Sequence, residues 1–274
     1  MSDHFLSFRS SRFHYSLWGT GHRVLFAFHG YGESAASFGF LAAAIGQDFT
    51  IVAVDLPFHG QTEWNEGLFF APADLLKLLQ QIAAGLADRS ADWWLLGYSM
   101  GGRVALELFG LAPGKVRRLV LLAPDGIRVN PWYWLATRPS WGNHLFRLTM
   151  QKPGWFFFLL RAANRFGLVN PSVYKFTVHY IDDTHARRLL YTRWSVMRGF
   201  RPDLRKIAAL VRGHRTPVQL LYGRYDRIIQ SRRGASFERR CAPYCKMTIL
   251  PGGHQLLQPK FMEVVVSALY LPII

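Results

Sequence analysis

Residues 93–111 read Trp93-Trp94-Leu95-Leu96-Gly97-Tyr98-Ser99-Met100-Gly101-Gly102-Arg103-Val104-Ala105-Leu106-Glu107-Leu108-Phe109-Gly110-Leu111. The segment up to Tyr98 is apolar throughout, as a strand covered on both faces must be, and from Gly101 onward the apolar residues recur at helical spacing. The two patterns meet in Gly97-x-Ser99-x-Gly101. A strand that reverses into a helix this tightly brings the residues two before and two after the serine almost into contact, and only glycine fits there. Ser99 is thereby held proud of the sheet at a helix N-terminus, where the Met100 N–H and the helix dipole favour a developing negative charge. A turn that merely caps a helix shows the same five residues, so the partners found elsewhere decide the reading.

Working outward, the strand–helix rhythm repeats. Phe5–Arg9 and Phe13–Trp18 read as an opening hairpin. Val24–Phe28, Phe49–Val54 and Val116–Ala123 read as strands, Ser34–Ile45 and Pro72–Arg89 as helices. After a long interruption, Val218–Tyr222 and Lys246–Leu250 read as strands, Ser231–Arg240 and Lys260–Leu271 as helices. Such alternation predicts an α/β fold with a mostly parallel sheet of eight strands and helices on both faces. The expected boundaries are a core of residues 1–125 and 213–274 and an inserted helical cap over 126–212. Ligands of open α/β sheets bind at the strands' carboxyl edge, which is where the cap is expected to lie.

A serine hydroxyl becomes a nucleophile only with a base in reach, and the base needs an acid to fix its tautomer. Of the ten histidines, His254 follows the last strand in Pro251-Gly252-Gly253-His254, and Asp226 follows the preceding strand in Gly223-Arg224-Tyr225-Asp226. Asp125, in Ala123-Pro124-Asp125-Gly126, also ends a strand and competes for the acid's role; its expected place is a turn or a helix cap.

In the order Ser99, Asp226, His254 the chain resembles the α/β-hydrolase-fold serine hydrolases, and the resemblance covers nearly everything outside 126–212. It implies that His29-Gly30-Tyr31-Gly32 is the oxyanion loop, with the Tyr31 and Met100 N–H groups as its donors and Gly30, Tyr98 and Arg103 beside the substrate. Asp55-Leu56-Pro57-Phe58-His59-Gly60 resembles the family's turn after the fourth strand, with Phe58 where glycine is usual. His29 and His59 are expected to brace these loops. The stretch Gly97–Arg103 is similar to the menaquinone-pathway synthase branch, whose matching arginine grips a substrate carboxylate; the local expectation for Arg103 is an ion pair with Glu107. The implied activity is cleavage of a small-molecule acyl ester through an acyl-enzyme, with no cofactor and no metal. Its rivals are a lyase-type synthase or C–C bond hydrolase acting on a carboxylate-bearing substrate and, from another class, a non-catalytic binding protein of the same fold.

With half of its 274 residues hydrophobic, the chain has ample material for a core. Its net charge of +16 is concentrated: residues 127–206 hold 14 Lys and Arg against 3 acids, together with 16 aromatics. That composition suits a greasy pocket or peripheral contact with an anionic membrane. Nucleic acid is not an expected partner, because the basic residues form no known binding motif. The two cysteines, Cys241 and Cys245, read as free thiols, no signal-like segment opens the chain, and the expected location is cytoplasmic or peripheral to a membrane. The sequence carries no signal for an oligomeric state.

Overall fold

The computed structural model describes residues 1–86, 92–127, 130–168, 174, 178 and 181–271. Eight strands form one sheet: β1 (Ser2–Phe8), β2 (Ser11–Trp18), β3 (Arg23–Phe28), β4 (Phe49–Val54), β5 (Trp93–Tyr98), β6 (Val116–Leu122), β7 (Val218–Gly223) and β8 (Cys245–Leu250), in the order β1-β2-β4-β3-β5-β6-β7-β8. The β1/β2 and β2/β4 pairs are antiparallel and all others parallel. This is an α/β-hydrolase fold with a mostly parallel sheet.

Strands β4 and β7 are buried at every position, whereas β8 at the sheet's edge is partly exposed, which is why its sequence carries Lys246 and Thr248 among apolar residues. Side chains alternate across the sheet. Leu25, Ala27, Ile51, Ala53, Leu96 and Tyr98 point into the layer formed with Phe38, Leu41, Phe261 and Val265. That layer contains the short α1 (Ala42–Ile45) and the C-terminal α10 (Met262–Tyr270). Helices α2 (Pro72–Gly85), α3 (Met100–Leu111), α8 (Leu204–His214) and α9 (Arg232–Cys241) pack in series on the other face.

Two segments differ from the sequence reading. Residues Ala35–Leu41 wind as a 3-10 helix before the single turn of α1, because the Ala35 N–H is held by the Asp55 carboxylate at 2.6 Å and fixes where the helix starts. Helix α8, placed by pattern inside 126–212, instead buries Ile207, Ala208 and Val211 and belongs to the same compact unit as the sheet. Of the long helix read over 72–89, the last three residues lie outside the described residues.

The chain divides into two compact units, one made of Met1–Glu66, Phe70–Arg128 and Gly199–Ile274, the other of Gly67–Phe69 and Val129–Arg198. The second holds α4 (Pro131–Thr137), α5 (Ser140–Gln151), α6 (Gly154–Arg165) and α7 (Thr184–Val196). Its interior is aromatic: Trp194 packs on Tyr133 and Phe146, and Phe146 on Tyr191. Arg187 is buried there with its guanidinium spent on the carbonyls of Met150, Ile181 and Asp182, so this cation serves structure.

Candidate active site

The parallel register aligns the carboxyl ends of the strands, pairing Phe28 with Gly97, Tyr98 with Leu122 and Gly223 with Leu250. Ser99, His29, Asp226 and His254 all lie within four residues of those ends, so the topology delivers them to one edge.

Ser99 sits at φ 49°, ψ −113°, a backbone state costing about 1–3 kcal/mol that persists only where the surroundings enforce it. Three hydrogen bonds do so: the Ser99 N–H donates to the Leu122 carbonyl at 2.9 Å, and the Ser99 carbonyl accepts from Gly102 at 2.9 Å and Asp125 at 2.8 Å. The flanking glycines are needed for space. A Cβ on Gly97 would lie 2.5 Å from the Gly101 carbonyl oxygen, and one on Gly101 only 1.9 Å from that of Phe28. Gly97→Ala and Gly101→Ala are each expected to cost about 2–3 kcal/mol or more and to lower the thermal midpoint by roughly 5–10 °C. Melting curves check this, and unchanged midpoints would contradict the packing.

His254 Nε2 lies 3.0 Å from Ser99 Oγ, and its Nδ1 lies 2.8 Å from Asp226 Oδ2. A carboxylate can only accept, so Nδ1 carries the proton and Nε2 faces the serine as an acceptor. Asp226 is fixed on its other oxygen, where Oδ1 accepts from Ile228 N–H at 2.8 Å and Ile229 N–H at 2.9 Å. Burial alone would raise its pKa, but hydrogen bonds from His254, Ile229 and Ile228 and the attraction of the imidazole outweigh that and hold the carboxyl below its ordinary value. The loops carrying the pair are laced together: Arg224 N–H donates to Leu250 and Tyr225 N–H to Gly252.

Met100 is the first residue of α3, where backbone N–H groups have no acceptor within the helix. Tyr31 lies in the loop leaving β3, and that loop is braced through His29. The Leu56 N–H donates to His29 Nε2 at 3.1 Å, so Nδ1 is the protonated nitrogen and donates to the Gly30 carbonyl at 2.7 Å. The Asp55 carboxylate binds the turn after β4, accepting from His14 and from the Ala35 and Gln61 N–H groups. Phe58 adopts φ 63°, the left-handed state that explains glycine's preference at that position.

Gly30 and Tyr98 are buried against each other, a Cβ on Gly30 falling 2.8 Å from the Tyr98 ring. The Tyr98 hydroxyl donates to Gln255 Oε1 at 3.1 Å and points to the His254 carbonyl at 3.3 Å, so it steadies the histidine's loop. Burial, with the negative charges of Glu33 and Asp226, pushes its pKa far up. Arg103 is buried one turn past Ser99, with Nε 3.6 Å from Asp125 Oδ2. The expected Glu107 partner is committed elsewhere, accepting the Arg201 N–H at 2.8 Å. Asp125 thus pairs with Arg103, and Asp226 with His254.

Glu33 was not legible as a site residue. It is half-buried and accepts from the Gly30 N–H at 3.3 Å; burial raises its pKa, partly offset by that bond and by electrostatic attraction to His254. An acid three residues past Gly30 with no nearby cation in sequence was the available signal. Cys241 and Cys245 are free and buried, and Cys245 is pushed far above the usual thiol range by its hydrogen bond with Cys241 and by burial. Among the described residues no cluster of His, Cys, Asp or Glu is arranged to hold a metal ion.

A sheet of this order and a hydroxyl, imidazole and carboxylate in series at its carboxyl edge invite comparison with known proteins. The profile described as alpha/beta hydrolase family matches residues 24–268. The chain belongs to the alpha/beta hydrolase family. The hydrolase is 26% identical over 237 residues to a pimeloyl-[acyl-carrier protein] methyl ester esterase of Nitrosomonas europaea, covering 81% of this chain and 84% of that one. It is 37% identical over 101 residues to the enzyme of the same description from Neisseria meningitidis, a match that spans 37% of this chain and 36% of that protein. In fold it is similar to the thioesterase domain from the curacin biosynthetic pathway, with a TM-score of 0.65, 18% identity, and coverage of 98% of this chain and 99% of that one.

Proposed function

We propose that this hydrolase is a serine esterase acting through an acyl-enzyme. The observation that carries the reading is the unbroken relay from Ser99 Oγ through His254 to Asp226, at 3.0 Å and 2.8 Å. Ser99 Oγ attacks the acyl carbon as its proton passes to His254 Nε2, and Asp226 stabilises the resulting imidazolium. The Tyr31 and Met100 N–H groups hold the oxyanion. His254 then protonates the leaving alcohol, and water, deprotonated by the same nitrogen, cleaves the acyl-enzyme and restores Ser99.

Residues 126–212, expected from the sequence to form a cap, are the chain's most aromatic segment, a composition suited to an apolar acyl group. Relatives that act on the methyl ester of a carrier-bound pimeloyl chain support an extended acyl group. Each buried methylene is worth about 0.8 kcal/mol, close to fourfold in affinity. In a panel of p-nitrophenyl esters, kcat/KM is expected to climb from acetyl through medium acyl lengths and then level off. A maximum at acetyl would overturn the acyl-pocket reading while leaving the serine chemistry intact.

The carboxylate-binding alternative requires the Arg103 guanidinium to face substrate. Its burial and its approach to Asp125 argue for a structural ion pair instead. If a free carboxylate on the substrate proved essential and Arg103→Ala abolished that requirement, the esterase assignment would give way.

A further inference from the structure

Helix α6 turns an apolar stripe to solvent. In Gly154–Arg165 the residues Trp155, Phe158, Leu159 and Ala162, continued by Phe166, follow the 3, 4 and 7 spacing of one helix face. In a helix of a water-soluble fold that stripe faces the core. Here no residue of α6 is buried, and the stripe points to solvent, with Phe158 72% and Phe166 75% exposed. Arg161 and Arg165 flank it one turn apart. Together Phe158, Arg161, Ala162, Arg165 and Phe166 line a groove of about 480 Å³.

The neighbouring α5 repeats the pattern with Trp141, Leu145 and Leu148 exposed at the same spacing beside Arg147. Among the described residues, 10 of the 19 large exposed hydrophobic side chains fall between positions 130 and 168. The same stretch has five Lys or Arg and no acid.

We propose that the α6 face is a docking surface for an anionic lipid bilayer, with Phe158 and Phe166 entering the headgroup–acyl boundary and Arg161 and Arg165 pairing with lipid phosphates or carboxylates. The charge pattern selects this occupant. Two copies of a face with cations and no acids repel each other, whereas an anionic surface attracts it. Exposed aromatics between arginines match the boundary layer, where apolar bulk and charge are solvated side by side. Among the described residues no helix is long and apolar enough to cross a membrane, so the helix would lie in the plane of the surface. The proposal does not depend on the esterase reading.

The test is sedimentation of the full chain with vesicles of phosphatidylcholine alone and of phosphatidylcholine containing phosphatidylserine, at low and high salt. The anionic vesicles are expected to bind more protein, and binding should fall as salt rises. Arg161→Glu with Arg165→Glu should weaken partitioning by at least about fivefold per charge, and Phe158→Ser with Phe166→Ser by about tenfold or more. These side chains are exposed, so thermal melts should match wild type. If the phenylalanine pair fails to fold, the arginine pair carries the test alone. No sedimentation, equal sedimentation with both vesicle types, or undiminished binding by the folded variants would overturn the proposal. A wild-type dimer made monomeric by the same substitutions would overturn it in favour of an interface between copies.

Discussion

Ser99→Ala and His254→Ala are each expected to lower kcat by about 10⁴-fold or more, because members of a cooperative relay fail together and the second loss adds little to the first. The double variant should therefore be about as inactive as either single one. Both variants should fold. Alanine can take the φ of 49° no worse than serine, and the three backbone hydrogen bonds that impose this state belong to main-chain atoms. His254 is partly exposed, so its removal opens no closed cavity. A fluorophosphonate probe should label wild type at Ser99, as mapped by peptide mass spectrometry, and should label neither variant. Labelling at another residue, or an active Ser99→Ala enzyme, would remove the central claim.

What could be read from the sequence and what could not divides along physical lines. Strands β3 to β6 were legible because a strand covered on both faces is apolar over most of its length, with Arg23, Thr50, Arg117 and Arg118 confined to the amino-terminal halves of their strands. Ser99, Asp226 and His254 were legible as candidates because each follows a strand, and parallel strands send all their carboxyl ends to one edge. The 3-10 winding of Ala35–Leu41 was not, since its cause is the Asp55 carboxylate reaching the Ala35 N–H from another loop. Helix α8 was assigned to the insertion because its pattern is helical like its neighbours', and only its burial against the core helices separates it. Arg103 was given the wrong partner for a related reason. Helical spacing places Glu107 within reach, but the tight exit from β6 brings Asp125 to the same guanidinium. Local periodicity is written in one segment, whereas partners that meet across loops depend on the whole sheet.

The choice between the two acids can be decided by substitution. Asp226→Asn is expected to reduce turnover by roughly 10⁴-fold. The asparagine oxygen can still accept from the Ile228 and Ile229 N–H groups, which leaves its NH₂ facing His254 Nδ1. That nitrogen must then accept, so the proton moves to Nε2, where it points at Ser99 and cannot receive the hydroxyl's proton. Asp125→Asn should change turnover little, since that side chain pairs with Arg103 and not with the imidazole. The acids also differ in their signature on stability. The Asp226 pKa is lowered on folding, so its ionised form stabilises the fold above the unfolded carboxyl value of about 3.9, and the contribution is lost as pH falls through the folded value. Thermal melts across acid pH should show a smaller loss of stability for Asp226→Asn than for wild type, because the variant has no carboxylate left to protonate. An unchanged acid limb would contradict the arrangement around Asp226. A reversed ranking in turnover would instead move the acid to the end of β6 and leave Asp226 as a brace for the loop that carries it.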